Sequence, residues 1–160
     1  MIGEYQSSID LFLSFVVAAR ETENIRFGSL VSPMTFRSPV DVGRMSAQIS
    51  QLSNGRLMLG VGAGWHKPEH DAYGIPFYSE RVRAERLEEA INVIKTLWGP
   101  GPASYEGKHF QVKDVDCLPK PVSGADTPIL IGGSGEKRTL GLVAKYADEW
   151  KCVNMQPETY

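Results

Sequence analysis

A chain of 160 residues, 42% hydrophobic and 22% charged, has room for one folded domain and lacks the composition of a disordered segment. Its net charge of −2 supplies no basic field and no basic patch stands out, so nucleic acid is not an expected partner. The longest apolar run, Leu11 to Ala19 with Ser14 inside it, is about half a membrane span, and Glu4 and Asp10 precede it where a signal peptide carries positive charge.

With Cys117 and Cys152 far apart and outside any CxxC or zinc spacing, the expectation is a cytoplasmic protein with reduced, packed thiols. Ile9 to Glu21 is apolar almost all round, with Leu11, Phe12, Phe15, Val16 and Ala19 at helical spacing, which predicts a helix with a narrow wet face. Ile25 to Val31 follows as a strand that breaks at Ser32-Pro33. Ser38-Pro39-x-Asp41 is a helix start, with Val42, Met45, Ile49 and Leu52 as the buried stripe and Ser53-Asn54-Gly55 as the stop.

Leu57 to Val61 is the central strand, and it passes through Gly60, Gly62 and Gly64 into Trp65, His66, Glu69 and His70. An apolar strand ending in glycines and then an aromatic, imidazoles and a carboxylate predicts a ligand site at the carboxyl end of a sheet. A dinucleotide fingerprint fails on spacing, since counting from Gly60 or Gly62 puts Trp65 or Lys67 where the last glycine belongs. His66-Lys67-Pro68-Glu69-His70 fits the H-x-x-E-H zinc string, but Pro68 starts a helix at about Lys67 and leaves His66 outside it, so no metal site is expected. The plainer alternative is that Glu69 and His70 cap a short helix while Trp65 packs.

Ser79 caps a long amphipathic helix with Leu87, Ile91, Ile94 and Trp98 inward, and its mixed-charge face of Arg81, Glu85, Arg86, Glu88, Glu89 and Lys95 is expected to be solvated. Ser104 to Phe110 predicts an inserted hairpin turning at Gly107, near residues 103–112. Pro128 to Ile131 is a buried strand running into Gly132-Gly133-Ser134-Gly135, followed by a helix marked by Leu140, Val143, Ala144 and Ala147, and by a last strand from Trp150 to Val153. Alternation of strands and helices predicts right-handed βαβ units in a parallel sheet, with the loops Ser32 to Phe36, Gly62 to His70 and Gly132 to Arg138 on one rim. Glycines leading into a helix near Glu136 offer free amides of Gly133, Ser134 and Gly135 to a phosphate, with Lys137, Arg138 and the Ser134 and Thr139 hydroxyls beside them, although a tight turn alone would also use such glycines.

In the strings IRFGSLVSPMTFRSP, LSNGRLMLGVGAGWHKPEHDAYGIPF, RLEEAINVIKTLW, YEGKHF, CLPKP and PILIGGSGEKRTLGLVAKYADEW, in this order, the chain resembles the luciferase-like monooxygenase superfamily and its branch of F420-dependent oxidoreductases. The resemblance implies an α/β fold, a TIM (β/α)8 barrel of the bacterial luciferase-like type, of which residues 1–160 are the central part carrying the third to sixth strands. It implies a cofactor across the rim, coenzyme F420 or alternatively FMN, with a non-prolyl cis peptide around Val31 to Pro33 behind the ring and the phosphate at Gly133 to Gly135. Together with the rim, this gives expected cofactor contacts from Val31, Ser32, Gly62, Ala63, Gly64, Trp65, Gly132, Gly133, Ser134, Gly135, Arg138 and Thr139. His66 is the candidate acid or base, oriented by Glu69 or His70, and Trp65 stands where some deazaflavin enzymes carry an acid.

The implied activity is hydride transfer between F420 and a small organic substrate, the alternative being an FMN-dependent monooxygenase. From a different class, a half-barrel can serve as a non-catalytic interaction module or be a fragment. A half-barrel leaves two strand edges and an apolar interior open, so self-association into a homo-oligomer is expected. Sedimentation of the isolated 160-residue chain should therefore give species larger than a monomer; a sharp monomer that melts cooperatively would overturn the half-barrel expectation.

Overall fold

A computed structural model of the protein describes residues 9–152. Helix α1 spans Leu11–Glu21, two residues short of the expected start, because Asp10 is the N-cap and its Oδ1 accepts the Phe12 N–H at 3.0 Å. Phe12, Phe15 and Ala19 are buried, whereas Leu13 and Val17, one turn apart, are 61% and 58% exposed. The helix therefore buries one apolar stripe and turns a second outward, in place of the narrow wet face expected.

The single strand expected over Ile25 to Val31 is two short pieces, β1 (Phe27–Gly28) and β2 (Ser32–Pro33), both parallel to β3 (Leu57–Gly62). Between them the Leu30–Val31 peptide is cis, as the resemblance implied. There the Ser29 hydroxyl takes over the ladder, donating to the Gly60 carbonyl at 2.6 Å and accepting the Gly60 N–H at 3.0 Å. Ser32 and Pro33, expected to break the strand, pair instead with Val61 and Gly62.

Helix α2 (Pro39–Leu52) begins at the Ser38 cap and stops where Asn54 and Gly55 take positive φ, and the Gly55 N–H closes on the Ser50 carbonyl. Val42 and Ile49 are buried, but Leu52 is 51% exposed and does not belong to the inward stripe. After β3 comes α3 (Lys67–Ala72), one short helix with His66 as its N-cap position, then α4 (Glu80–Trp98), started by the Ser79 hydroxyl accepting the Val82 N–H. Strands β4 (Ala103–Glu106) and β5 (Gln111–Val115) form an antiparallel hairpin. They are followed by β6 (Ile129–Gly132), α5 (Thr139–Tyr146) and β7 (Glu149–Lys151). Helix α5 starts three residues later than the glycines suggested, its buried residue is Leu142, and Ala144 faces out. Of the last strand expected, Val153 lies outside the described residues.

The main sheet is parallel throughout, in the order β1-β3-β6-β7, with β2 also on β3. One face is fully covered: Leu59, Val61, Ile129 and Ile131 are 0% exposed and pack with Val42 of α2 and Leu87, Ile91 and Ile94 of α4. Those helices approach closely at Gly43, where a Cβ would sit 3.1 Å from Leu97, and the Trp98 indole donates to the Gly43 carbonyl at 2.9 Å. The other face is concave. Arg26, beside β1, reaches Glu149 of β7 at 3.6 Å although β3 and β6 lie between them.

The charged face of α4, expected to be solvated, holds neighbouring elements in place. Glu89 accepts the backbone N–H groups of Lys108, His109 and Phe110 at 2.8–3.0 Å, so one carboxylate fastens the hairpin turn. Gly107 leaves room for it, since a Cβ there would meet the Glu89 carboxylate at 2.4 Å. Glu88 accepts from Lys145 and from the Tyr146 hydroxyl of α5, each at 2.9 Å, and the Lys145 ammonium holds its carboxyl below the usual range.

Glu85 accepts from Lys108 at 2.8 Å and from His109 at 3.1 Å, and the Lys108 ammonium, then His109, bring its pKa from 4.5 to about 2. A carboxylate depressed on folding stabilises the fold fully above its unfolded pKa, and that contribution is lost as pH falls through the folded value. The melting-temperature gap between the wild type and Glu85→Gln should hold above about pH 4.5 and close as pH falls toward 2; a gap unchanged across that window would show that the pairing does not support the fold.

Candidate functional site

The rim at the carboxyl ends of β2, β3 and β6 is organised by one side chain on a floor of glycines. Gly62 of β3 pairs with Gly132 of β6, and Val31 lies over both: a Cβ on Gly62 would come within 2.7 Å of Val31 Cγ2, and one on Gly132 within 2.8 Å of Val31 Cγ1. Gly60, one pleat below, leaves the same kind of space for the Ser29 backbone, where a Cβ would meet the Ser29 carbonyl at 1.8 Å. The spaces left by these glycines are thus taken by residues 29–31 of the chain itself. Val31 is half-buried and stands as a raised apolar point on the concave face, and Ser32 beside it is buried.

The loop after β3 is fixed from behind. Gly64 adopts φ +77°, a conformation that favours glycine, and a Cβ there would lie 2.7 Å from Thr35 Oγ1 and 3.4 Å from the His70 ring. His70 is 1% exposed, with its ring edge-on to Phe36 at 4.7 Å and to Phe77 at 4.8 Å. Its Nδ1 donates to the His66 carbonyl at 2.8 Å, and its Nε2 shares a hydrogen bond of 2.8 Å with the Thr35 hydroxyl. Both nitrogens are engaged, and His70 joins the loop after β2 to the loop after β3. Arg83 completes the support: its Nε donates to the Gly64 carbonyl at 3.0 Å, its Nη1 to the Tyr78 carbonyl, and its guanidinium sits 4.1 Å from the centre of the Phe77 ring.

In front of this support are Ala63, half-buried, and Trp65, 82% exposed with its ring 5.0 Å from that of His66. His66 Nδ1 is 4.0 Å from a Glu69 carboxylate oxygen, and both side chains are partly open to solvent. The structure therefore brings His66 and Glu69 together, and places His70 behind them, on the backbone of His66 and apart from its ring. Trp65 packs on His66 and is otherwise outside the fold of the described residues.

The second loop follows β6. The Gly133 N–H, expected to be free, donates to the Lys151 carbonyl at 3.0 Å, and its own carbonyl accepts the Trp150 indole N–H at 2.8 Å. Helix α5 starts at Thr139 and not near Glu136, and the Arg138 N–H is taken by the Gly135 carbonyl. The N–H groups of Ser134 to Lys137 have no partner among the described residues and lie on an exposed turn at the start of α5. The Thr139 side chain closes the turn, lying 3.1 Å from a Cβ on Gly133 and 2.9 Å from one on Gly135. Arg138 lies beside it, on a groove between α4 and α5 whose other charged residues are Arg81, Glu85, Glu88 and Lys145.

Sequence reasoning missed Ser29 and Arg83. Nothing near Ser29 marks a serine that replaces a backbone pair. Arg83 did leave a signal, because it stands four residues before Leu87 on the inward stripe of α4, where a cation must find acceptors. Among the described residues, no group of three or more His, Cys, Asp and Glu side chains is placed to hold a metal ion, and no helix is long and apolar enough to cross a membrane.

A parallel, curled sheet with helices on its convex side and its glycine loops on one carboxyl-end rim is about half of a β/α barrel, of the type that luciferase-like oxidoreductases build. The family profile described as luciferase-like monooxygenase matches residues 2–160, and the chain belongs to that family of oxidoreductases and monooxygenases. Pyrimidine monooxygenase RutA of Yersinia enterocolitica is 31% identical over 153 residues, 92% of this chain and 40% of that protein. An F420-dependent secondary alcohol dehydrogenase, solved with an F420–acetone adduct, superposes with a TM-score of 0.87 at 24% identity over 98% of this chain and 47% of that one. The oxygenating constituent of 3,6-diketocamphane monooxygenase from Pseudomonas putida, solved with FMN, gives 0.69 at 23% identity over 88% of this chain and 43% of that one. These two structures share the fold. The chain spans half or less of the length of these curated relatives, from 50% down to 32%.

His70→Leu removes both ring hydrogen bonds and leaves the His66 carbonyl and Thr35 hydroxyl without them, at an expected cost of about 2 kcal/mol in urea unfolding. His70→Gln can donate and accept in their place and should recover at least half of it; equal loss in the two variants would show that ring packing alone holds the loop.

Proposed function

We propose that the rim belongs to an oxidoreductase that passes a hydride between deazaflavin coenzyme F420 and a small organic substrate. The observation that carries the reading is Val31, raised over the Gly62–Gly132 pair as an apolar support for the face of a planar ring. The donors at the other end of the rim suit the rest of such a cofactor, for the free N–H groups of Ser134 to Lys137 at the start of α5 are the kind of cradle a phosphate takes. Bound there, a deazaflavin supplies the hydride chemistry. The chain's part is to hold the ring against Val31, to screen it from water with Trp65, and to hold or accept a proton at His66, whose Nδ1 faces Glu69.

FMN is the second reading. It is supported by the 31% identity to RutA, a monooxygenase, and by the FMN bound in the 3,6-diketocamphane enzyme of the same fold. The same residues serve it, since both cofactors present a planar ring and a phosphate.

Titration of the protein with F420 and with FMN tests the reading, and F420 should bind more tightly. Ser134→Asp sets a carboxylate among the free amides, so it should weaken either phosphate-bearing cofactor by more than 10-fold, roughly 1.4 kcal/mol, and leave riboflavin unaffected. Equal loss for riboflavin would mean damage to the fold, and no loss for any ligand would move the phosphate elsewhere.

A further inference from the structure

The strands of the main sheet carry only two charged residues among those described, Glu149 and Lys151, both on β7. Their side of the sheet follows from register. Lys151 pairs with Gly132, which pairs with Gly62, and directly paired residues of a sheet project to the same face. That face is the concave one, because Val31 fills the space a Cβ would take on Gly62 and on Gly132. Lys151 therefore rises from the sheet in the same row as the glycine floor, beside Val31. Glu149 lies on the same face, one pleat deeper, paired with Leu130.

The charges at the two depths are treated differently. Glu149 is matched by Arg26 at 3.6 Å, so the deeper pair is close to neutral. Lys151 has no ion pair or hydrogen bond from its ammonium among the described residues. Its backbone is held, since its carbonyl accepts the Gly133 N–H at 3.0 Å, and this also sets it next to the turn with the free Ser134 to Lys137 amides. A lysine stem reaches about 6 Å, enough to serve either the region over Val31 or the edge of that turn.

We propose that Lys151 is a ligand-binding residue whose ammonium pairs with an anionic oxygen of the bound cofactor, and so adds a fixed positive charge to a concave wall otherwise neutral or apolar. The proposal rests on the reading of the rim as a cofactor site. The anionic oxygen has two sources on such a cofactor: the phosphate, or the ring, which in a flavin gains negative charge on reduction.

Wild type, Lys151→Met and Lys151→Arg are titrated with FMN and riboflavin, or with F420 and its phosphate-free deazaflavin, each in oxidised and dithionite-reduced form, with melting curves as the check on folding. Lys151→Met should weaken binding 10-fold or more, and Lys151→Arg should restore most of it. A loss confined to the phosphate-bearing ligand assigns the phosphate. A loss confined to the reduced forms of FMN and riboflavin assigns the ring and lowers its two-electron potential by about 30 mV for each tenfold. Unchanged affinities throughout, or one equal loss for every ligand and redox form, would overturn the role of Lys151 while leaving the cofactor site standing. Wild-type protein that binds none of the four ligands would overturn the site itself and this proposal with it.

Discussion

The rim depends on one close approach, that of residues 29–31 to the concave side of β3 and β6. Ser29 bonds both backbone groups of Gly60, and Val31 settles over Gly62 and Gly132 at distances no Cβ would permit. A side chain at any of these three glycines would meet backbone or a branched carbon, neither of which can give way cheaply. The glycines of the central strand therefore serve the chain's own packing. The raised Val31 is the result, and it gives the face its shape.

Behind the rim, buried polar contacts set the loops to one another. Thr35, His66 and His70 form a chain of two hydrogen bonds between the β2 and β3 loops, and Arg83 reaches in from α4 to hold the Gly64 carbonyl. A guanidinium 8% exposed is tolerated because carbonyls and the Phe77 ring replace its water. Helix α4 thus joins three parts of the molecule. Its apolar stripe covers the sheet, Arg83 holds the β3 loop, and its carboxylates hold the hairpin and α5.

The electrostatics of the rim differ from those of the whole chain. Net charge is −2 overall, yet the loop after β6 presents free N–H groups with Arg138 beside them, and Lys151 stands in the adjacent row. The charges and donors at the rim are set by local geometry and not by composition.

Much of the fold was legible in the sequence because the signals are local. Caps at Ser38 and Ser79, the stop at Asn54-Gly55, the apolar runs of β3 and β6, and Pro68 setting the start of α3 act over a few residues, and each does what its chemistry requires. The quoted strings also carried the family. The misplacements come from contacts between residues distant in sequence. The β1–β2 break and the Ser29 patch are made against Gly60, the Gly133 amide is taken by Lys151, and Glu89 binds a hairpin about twenty residues away. Whether a glycine makes room for a ligand or for the chain itself, and which side of the sheet a lysine leaves from, depend on strand register. Register is a relation between segments, and no single segment contains it.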